Sequence, residues 1–463
     1  MRHLQSLDAL RSNPESRLRW LLVVGILLCS VLLPLQASAY QLLLALGALA
    51  VVGVILVVLR WPPVGLVALV YVALIAPAPD LPGGLNIGVL FLGLLIVLWL
   101  WPMIVQRRIQ LVISPTVRPL LAIVGSAILA FIVGQLTWFV GTQHAPLDTQ
   151  LGGLAIFVLA AGAFLLVAHQ IHEMKWLQWL TWSYVALTSL QTLGWIAPGL
   201  VRGLNDRLLQ PGTTNNSMFW LWLVAITFSQ TVYNNKLHIV WRVVLGSLFL
   251  ATMYVVFFIQ NEWKSGYLPA FVAIAAIIAA RSWRIALVLV LTCIVPAQLL
   301  SSQAVATDEY SYSTRLDAWL VILQMIKFNP VTGFGPGNYS FYTHLFPLRG
   351  YNARFNSHNQ YLDIIAQIGI LGLICFLWFA WEIGWLGWHL RDKAPSGFAR
   401  AYIYGALGGL AGMLASGMLV DWFLPYVYNI GLTGFRTSML AWVFLGGVVS
   451  IERIVRHQEA TSS

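Results

Sequence analysis

Charge is the scarcest resource in this sequence: Asp, Glu, Lys and Arg make up 9% of the 463 residues, against 59% hydrophobic residues. So little charge cannot clothe a core of that size in water, which excludes a soluble globular protein and leaves a polytopic membrane protein. No hydrophilic stretch is long enough to fold separately, so residues 1–463 read as a single integral membrane domain. Cysteine is nearly absent, and Cys29, Cys293 and Cys375 all lie inside apolar runs, which points to packing and away from disulfides or metal ligation. There is no Gly-x-x-x-x-Gly-Lys-Ser/Thr loop and no Asp-x-Asp pair to hold a nucleotide sugar through a metal. Any activated donor must therefore arrive already activated, and neither a cofactor nor a metal is expected. Internal repeats and low-complexity tracts are also missing.

What is there is a succession of apolar runs. A hydrocarbon core of about 30 Å takes roughly 20 helical residues to cross. That length predicts an all-α bundle of 12–14 spans, near 20–39, 41–59, 64–79, 85–104, 119–140, 151–168, 176–197, 217–233, 238–259, 267–280, 284–300, 359–388, 400–424 and 431–450. The polar N-terminal stretch is not a cleavable signal, since the run from Leu21 is followed at once by a second apolar run. The net charge of +10 would suggest nucleic acid in a soluble protein, but here it follows from topology. With Arg2, Arg11, Arg17 and Arg19 in the cytoplasm, alternate loops put most of the 26 basic residues on that side. Both termini are then cytoplasmic. Arg202, Arg207, Lys264, Arg315, Lys327, Arg349, Arg354 and Arg436 fall on the other face, mostly in loops 198–216 and 301–357, which calls for an anionic partner there.

Loop 301–357 is the longest connection. Within it Leu316, Trp319, Leu320, Leu323 and Ile326 recur at helical spacing, which predicts an amphipathic helix at the outer membrane surface. Asn329 to Asn338 follow, with Gly333, Gly335 and Gly337 at alternate positions. Such glycines serve either as turns between helices or as a backbone nest for an anion. Then Arg354, His358, Asn359, Gln360, Tyr361 and Asp363 crowd into ten positions at the start of an apolar helix. Ionisable groups in that setting are expensive and point to function. A neutral His358 can take a proton from a sugar hydroxyl and so activate it as a nucleophile. Asn359, Asp363 and Gln367 share one helix face turned into the bundle; Asp363 can orient His358, pair with an outer arginine or simply bind helices together. In the other outer loop Arg207 offers a guanidinium suited to diphosphate oxygens, and Lys264 adds a third outer cation.

The run Arg315…Trp319, then Pro330-x-x-Gly-Phe-Gly-x-Gly, then His358-Asn359-x-Tyr361-Leu362-x-x-x-Ala366-x-x-Gly369-x-Leu371-Gly372 resembles the signature of the O-antigen ligase and polymerase superfamily. The resemblance covers about residues 200–450, with its sharp motif in 315–372. It implies a glycosyltransferase of the cytoplasmic (inner) membrane that moves a glycan from a polyprenyl diphosphate carrier to an acceptor hydroxyl on the outer face. By motif, His358 resembles the proposed base and Arg207 the arginine that grips the diphosphate. Lys264 stands where the family has an arginine, a departure that replaces a fork by a point charge. Arg315, Arg354, Asn359 and Asp363 complete the expected substrate-binding set. The partners implied are a lipid-linked glycan donor, a glycan or lipid-linked acceptor and membrane lipid, with no nucleic acid. The competing classes are a lipid-linked oligosaccharide flippase, which calls for charges buried mid-span and two related halves, and a small-anion transporter.

Overall fold

A computed structural model describes residues 39–77, 81–210, 212–259, 264–285, 287–288 and 309–462. It divides into two compact units, Met1–Trp61 and Pro62–Ser463. The described part of the first is one apolar helix, α1 (Ala39–Arg60). The second carries α2 (Pro62–Ile75), α3 (Ile87–Val105), α4 (Val117–Val133), α5 (Leu147–Gln170), α6 (Met174–Ile196), α7 (Gly203–Leu208), α8 (Ser217–Tyr233), α9 (Ile239–Tyr254) and α10 (Lys264–Arg281). After these come α11 (Glu309–Ile326), α12 (Gln360–Lys393), α13 (Phe398–Ser416) and α14 (Gly431–Ser462). The protein is all-α, with no strand among the described residues. Five described stretches are long and apolar enough to cross a membrane: Ile87–Val105, Leu147–Gln170, Ile239–Ile259, Gln360–Lys393 and Gly431–Ala460. Of the expected span at 284–300 all but residues 284, 285, 287 and 288, and of 20–39 all but Ala39, fall outside the described residues.

α14 is the axis of the second unit. Phe435, Met439, Leu440, Trp442, Phe444 and Val448 are all buried along it. Gly446 lies against the Phe164 carbonyl of α5, and Ser450 Oγ donates to Val167 O at 2.9 Å. Small residues also let α13 close on α8, where Gly409 faces the Trp222 ring and Gly405 faces Ser229. Helices in lipid gain little from apolar burial against one another, so close approach at such residues is what holds them.

Two asparagines fix the register at one end. Asn86 caps α3 by accepting Val89 N–H at 3.1 Å, and Asn216 caps α8 by accepting Met218 N–H at 2.8 Å. The amide groups of the same side chains donate to Leu432 O and Gly434 O, so both caps are tied to the start of α14. Arg436, one of the expected outer cations, is buried here. Its guanidinium donates to the carbonyls of Val72, Ala73 and Ala76 and so caps the C-terminus of α2. At the opposite end Arg453 does the same for α5, donating to His169 O and Ile171 O.

Candidate active site

The first turn of α12 begins with a capping residue. Asn359 has extended backbone, and its side-chain oxygen accepts Tyr361 N–H at 3.0 Å and Leu362 N–H at 3.3 Å. Ser357 Oγ accepts Asn359 N–H at 2.9 Å and lies 2.7 Å from both Asn359 O and Asp363 Oδ1. Tyr339 donates its hydroxyl to Asp363 Oδ1 and accepts Ser357 N–H at 3.1 Å. Asp363 is fully buried and organises this turn; it meets no arginine among the described residues. Between the two pinned residues the chain passes through His358 with φ 48°, left-handed backbone that a non-glycine residue seldom adopts.

Two further elements close around that turn. α11 contributes Trp319, whose Nε1–H donates to Ser357 O at 2.8 Å, and Arg315, whose Nη1 donates to Leu419 O at 3.1 Å. The connection between α13 and α14 is locked to α12 by Gln360: its N–H donates to Gly417 O at 2.7 Å, and its side chain exchanges two hydrogen bonds with Leu424. That connection carries Asp421, fully buried, with Oδ2 accepting Tyr426 N–H at 2.8 Å and Oδ1 accepting Asn429 Nδ2 at 2.9 Å.

Burial depresses the proton affinity of His358, the Asp421 carboxylate raises it and the Arg315 guanidinium lowers it again, for a net pKa below the usual imidazole value. Burial raises the Asp421 carboxyl, opposed by the bonds from Tyr426 and Asn429 and by His358. Burial and the nearby Asp363 carboxylate push the Tyr339 phenol well up, so it stays a hydroxyl. A half-buried imidazole that is neutral at pH 7, with a carboxylate on hand to stabilise its protonated form, is equipped to accept a proton.

The glycine turn settles its two readings. Gly333 N–H donates to Asn329 O, Phe334 N–H to Ala366 O, Gly335 N–H to Gln367 O, Gly337 N–H to Gln367 Oε1 and Asn338 N–H to Gly335 O. With its amides engaged by protein oxygens, the turn is a docking element for α12 and not an anion nest.

Residues 237–377 match the family model described as O-antigen ligase. This stretch, under a third of the chain, is similar to the O-antigen ligase domain. It takes in α9, α10, α11, the glycine turn, His358 and the first half of α12. No curated protein matches the chain.

The remaining expected site residues lie at the same end of the bundle as the His358 turn but in different surroundings. Arg354 is exposed, its guanidinium 3.9 Å from the centre of the Phe341 ring, and its carbonyl accepts the Tyr428 hydroxyl at 2.7 Å. Arg207 is exposed on α7; Asp206 pairs instead with Arg202 at 3.8 Å. Lys264 opens α10, and two residues on the Gly266 carbonyl accepts Ser217 Oγ at 3.4 Å, tying the starts of α10 and α8 together. Arg207 lies outside the matched residues, as does Asp421. Asp421 is inconspicuous in the sequence because it lies inside the apolar run expected as the span 400–424. An acid at that point, followed by Trp422, Phe423 and Pro425, was the available signal. Tyr339 and Ser357 carried none, since their importance comes entirely from the contacts they make.

Proposed function

We propose that this protein is a glycosyltransferase that moves a glycan from a polyprenyl diphosphate carrier to an acceptor hydroxyl, on the outer face of the cytoplasmic membrane. The observation that supports the reading is the left-handed turn at His358, at the head of α12, whose imidazole feels both the Asp421 carboxylate and the Arg315 guanidinium. In the proposed reaction His358 takes the proton of the acceptor hydroxyl while the acceptor oxygen bonds to the anomeric carbon of the donor. The bond from that carbon to the diphosphate oxygen breaks, and its electron pair leaves on the diphosphate. Guanidinium groups suit that leaving group because they keep their charge and bind phosphate oxygens in pairs. Arg315 is the one whose charge acts on His358; Arg207, Arg354 and Lys264 are assigned to the carrier headgroup. Asn359 and Asp363 hold the turn in shape.

The test is an assay of the purified protein with a polyprenyl-diphosphate glycan and candidate acceptors, scoring both glycan product and released carrier diphosphate. His358→Ala is expected to cut turnover by about 10²- to 10⁴-fold, the usual worth of a general base, while the donor still binds. Retained turnover in this variant removes His358 from the role.

A further inference from the structure

Ser357 is held at three atoms. Its N–H donates to the Tyr339 hydroxyl at 3.1 Å, its carbonyl accepts Trp319 Nε1–H at 2.8 Å, and its Oγ accepts Asn359 N–H at 2.9 Å. The first two grips come from elsewhere in the chain and act on the two ends of one residue's backbone. Both donors are themselves anchored. Tyr339 is fully buried and stacks on Tyr426, ring centres 4.4 Å apart and planes 17° from parallel, and its hydroxyl donates to Asp363. Trp319 lies one turn along α11 from Arg315, which holds Leu419 O, so a single helix ties the residue before His358 to the segment that carries Asp421. The residues on either side of His358 are buried while His358 is only half so, and its backbone is the one strained link between them.

We propose that Trp319 and Tyr339 are positioning residues of this site: they grip the Ser357 backbone at its N–H and its carbonyl, force the chain through left-handed backbone at His358 and thereby aim the imidazole. The proposal rests on reading His358 as the base. It differs from a purely structural role in one respect. A structural bond, once lost, lowers stability and leaves the imidazole where it was; a positioning bond, once lost, changes what the imidazole touches.

Trp319→Phe keeps an aromatic ring and removes the N–H donor. In lipid nanodiscs with ¹³C-labelled histidine, the His358 resonance is identified by its loss in His358→Ala and titrated by NMR. The charged groups that act on the imidazole are Arg315 on α11 and Asp421 between α13 and α14; Arg354 and Asp363 follow from its own segment by sequence alone, and Trp319→Phe alters none of the four. The wild-type midpoint is expected below the ordinary value of about 6.5, and the Trp319→Phe midpoint is expected to move back towards it as water reaches the ring. Alongside, kcat is expected to fall about 10- to 100-fold, the scale of a misplacement near 1 Å, with KM for the donor unchanged. An unmoved titration overturns the proposal, whatever the activity does. If Trp319→Phe does not fold, Tyr339→Phe in the same titration decides by the same criterion. Should His358→Ala keep its turnover, the base reading falls, while the shift in midpoint still decides whether the clamp exists.

Discussion

At the scale of single residues, the proton affinity of His358 is the balance of burial, one carboxylate and one guanidinium. Because its pKa in the folded protein is depressed, the neutral form is the one the fold favours. The unfolded chain takes up its proton first as pH falls, so stability linked to this group is complete above about 6.5 and is lost below it. In its proposed role as base His358 is unprotonated over the same upper range, and the acid limb of kcat/KM is expected below the ordinary imidazole value. Asp421→Asn removes the one neighbouring charge that raises the pKa. The acid limb should therefore move to still lower pH, and the maximal rate should fall because the protonated imidazole loses its counter-charge. The asparagine keeps one oxygen acceptor, so only one of the two bonds from Tyr426 N–H and Asn429 is lost, at a cost of about 1 kcal/mol of stability. A pH–rate profile of the two proteins checks this, and a limb that shifts upward sinks the assignment of Asp421. His358 was legible in the sequence because an ionisable group at the head of an apolar helix is conspicuous. Arg315 was legible too, through its motif with Trp319, but Asp421 was not, because what brings it to His358 is the return of a distant segment, a property of packing that spacing along the chain does not encode.

At the scale of elements, α12 is one apolar run in sequence but two helices in space. Gly369 breaks it with φ 71° and ψ −179°, and a side chain there would collide with the Val331 carbonyl. The break frees backbone groups that hydrocarbon cannot satisfy. The glycine turn supplies the partners: Ala366 O and Gln367 O accept Phe334 N–H and Gly335 N–H, while Ile370 N–H and Leu371 N–H donate to Pro330 O and Val331 O. Turn and break are thus complementary halves of one joint. Gly369→Ala is expected to destabilise the protein by on the order of 3 kcal/mol, combining a disallowed backbone with a backbone clash. Gly93→Ala, on α3 where nothing lies within 4 Å, serves as the control and should be neutral or gain about 0.5–1 kcal/mol. Thermal unfolding in detergent compares them, and equal stability of the two variants would contradict the joint. Helix positions were largely readable from apolar runs, but ends were not. Expected span 119–140 stops at Val133, where Asn338 takes the Gly134 carbonyl, and 400–424 stops at Ser416, where Gln360 takes the Gly417 and Leu424 backbone. Those ends are set by side chains from other parts of the chain, which hydropathy does not register.

At the scale of the whole molecule, the distribution of charge and the connectivity of the second unit make a joint prediction. The His358 turn, the C-terminus of α13 and the start of α14 meet at one end, whereas the C-terminal half of α14 carries Arg453 to the opposite end, beside His169. Basic residues are expected to stay on the cytoplasmic side of the membrane in which they are inserted, so the end with His358 should face outward. A lipid-linked donor on the outer leaflet would then reach the imidazole without crossing the bilayer again. Tyr351, 74% exposed in the loop before His358, and Glu459, exposed near the end of α14, mark the two ends. In a background freed of Cys29, Cys293 and Cys375, Tyr351→Cys is expected to react with a membrane-impermeant maleimide on cells whose outer envelope alone has been opened. Glu459→Cys should react only once the cytoplasmic membrane is permeabilised. The reverse pattern would put the imidazole in the cytosol, and the proposed transfer on the outer face would fail with it, even if the proposed chemistry stood.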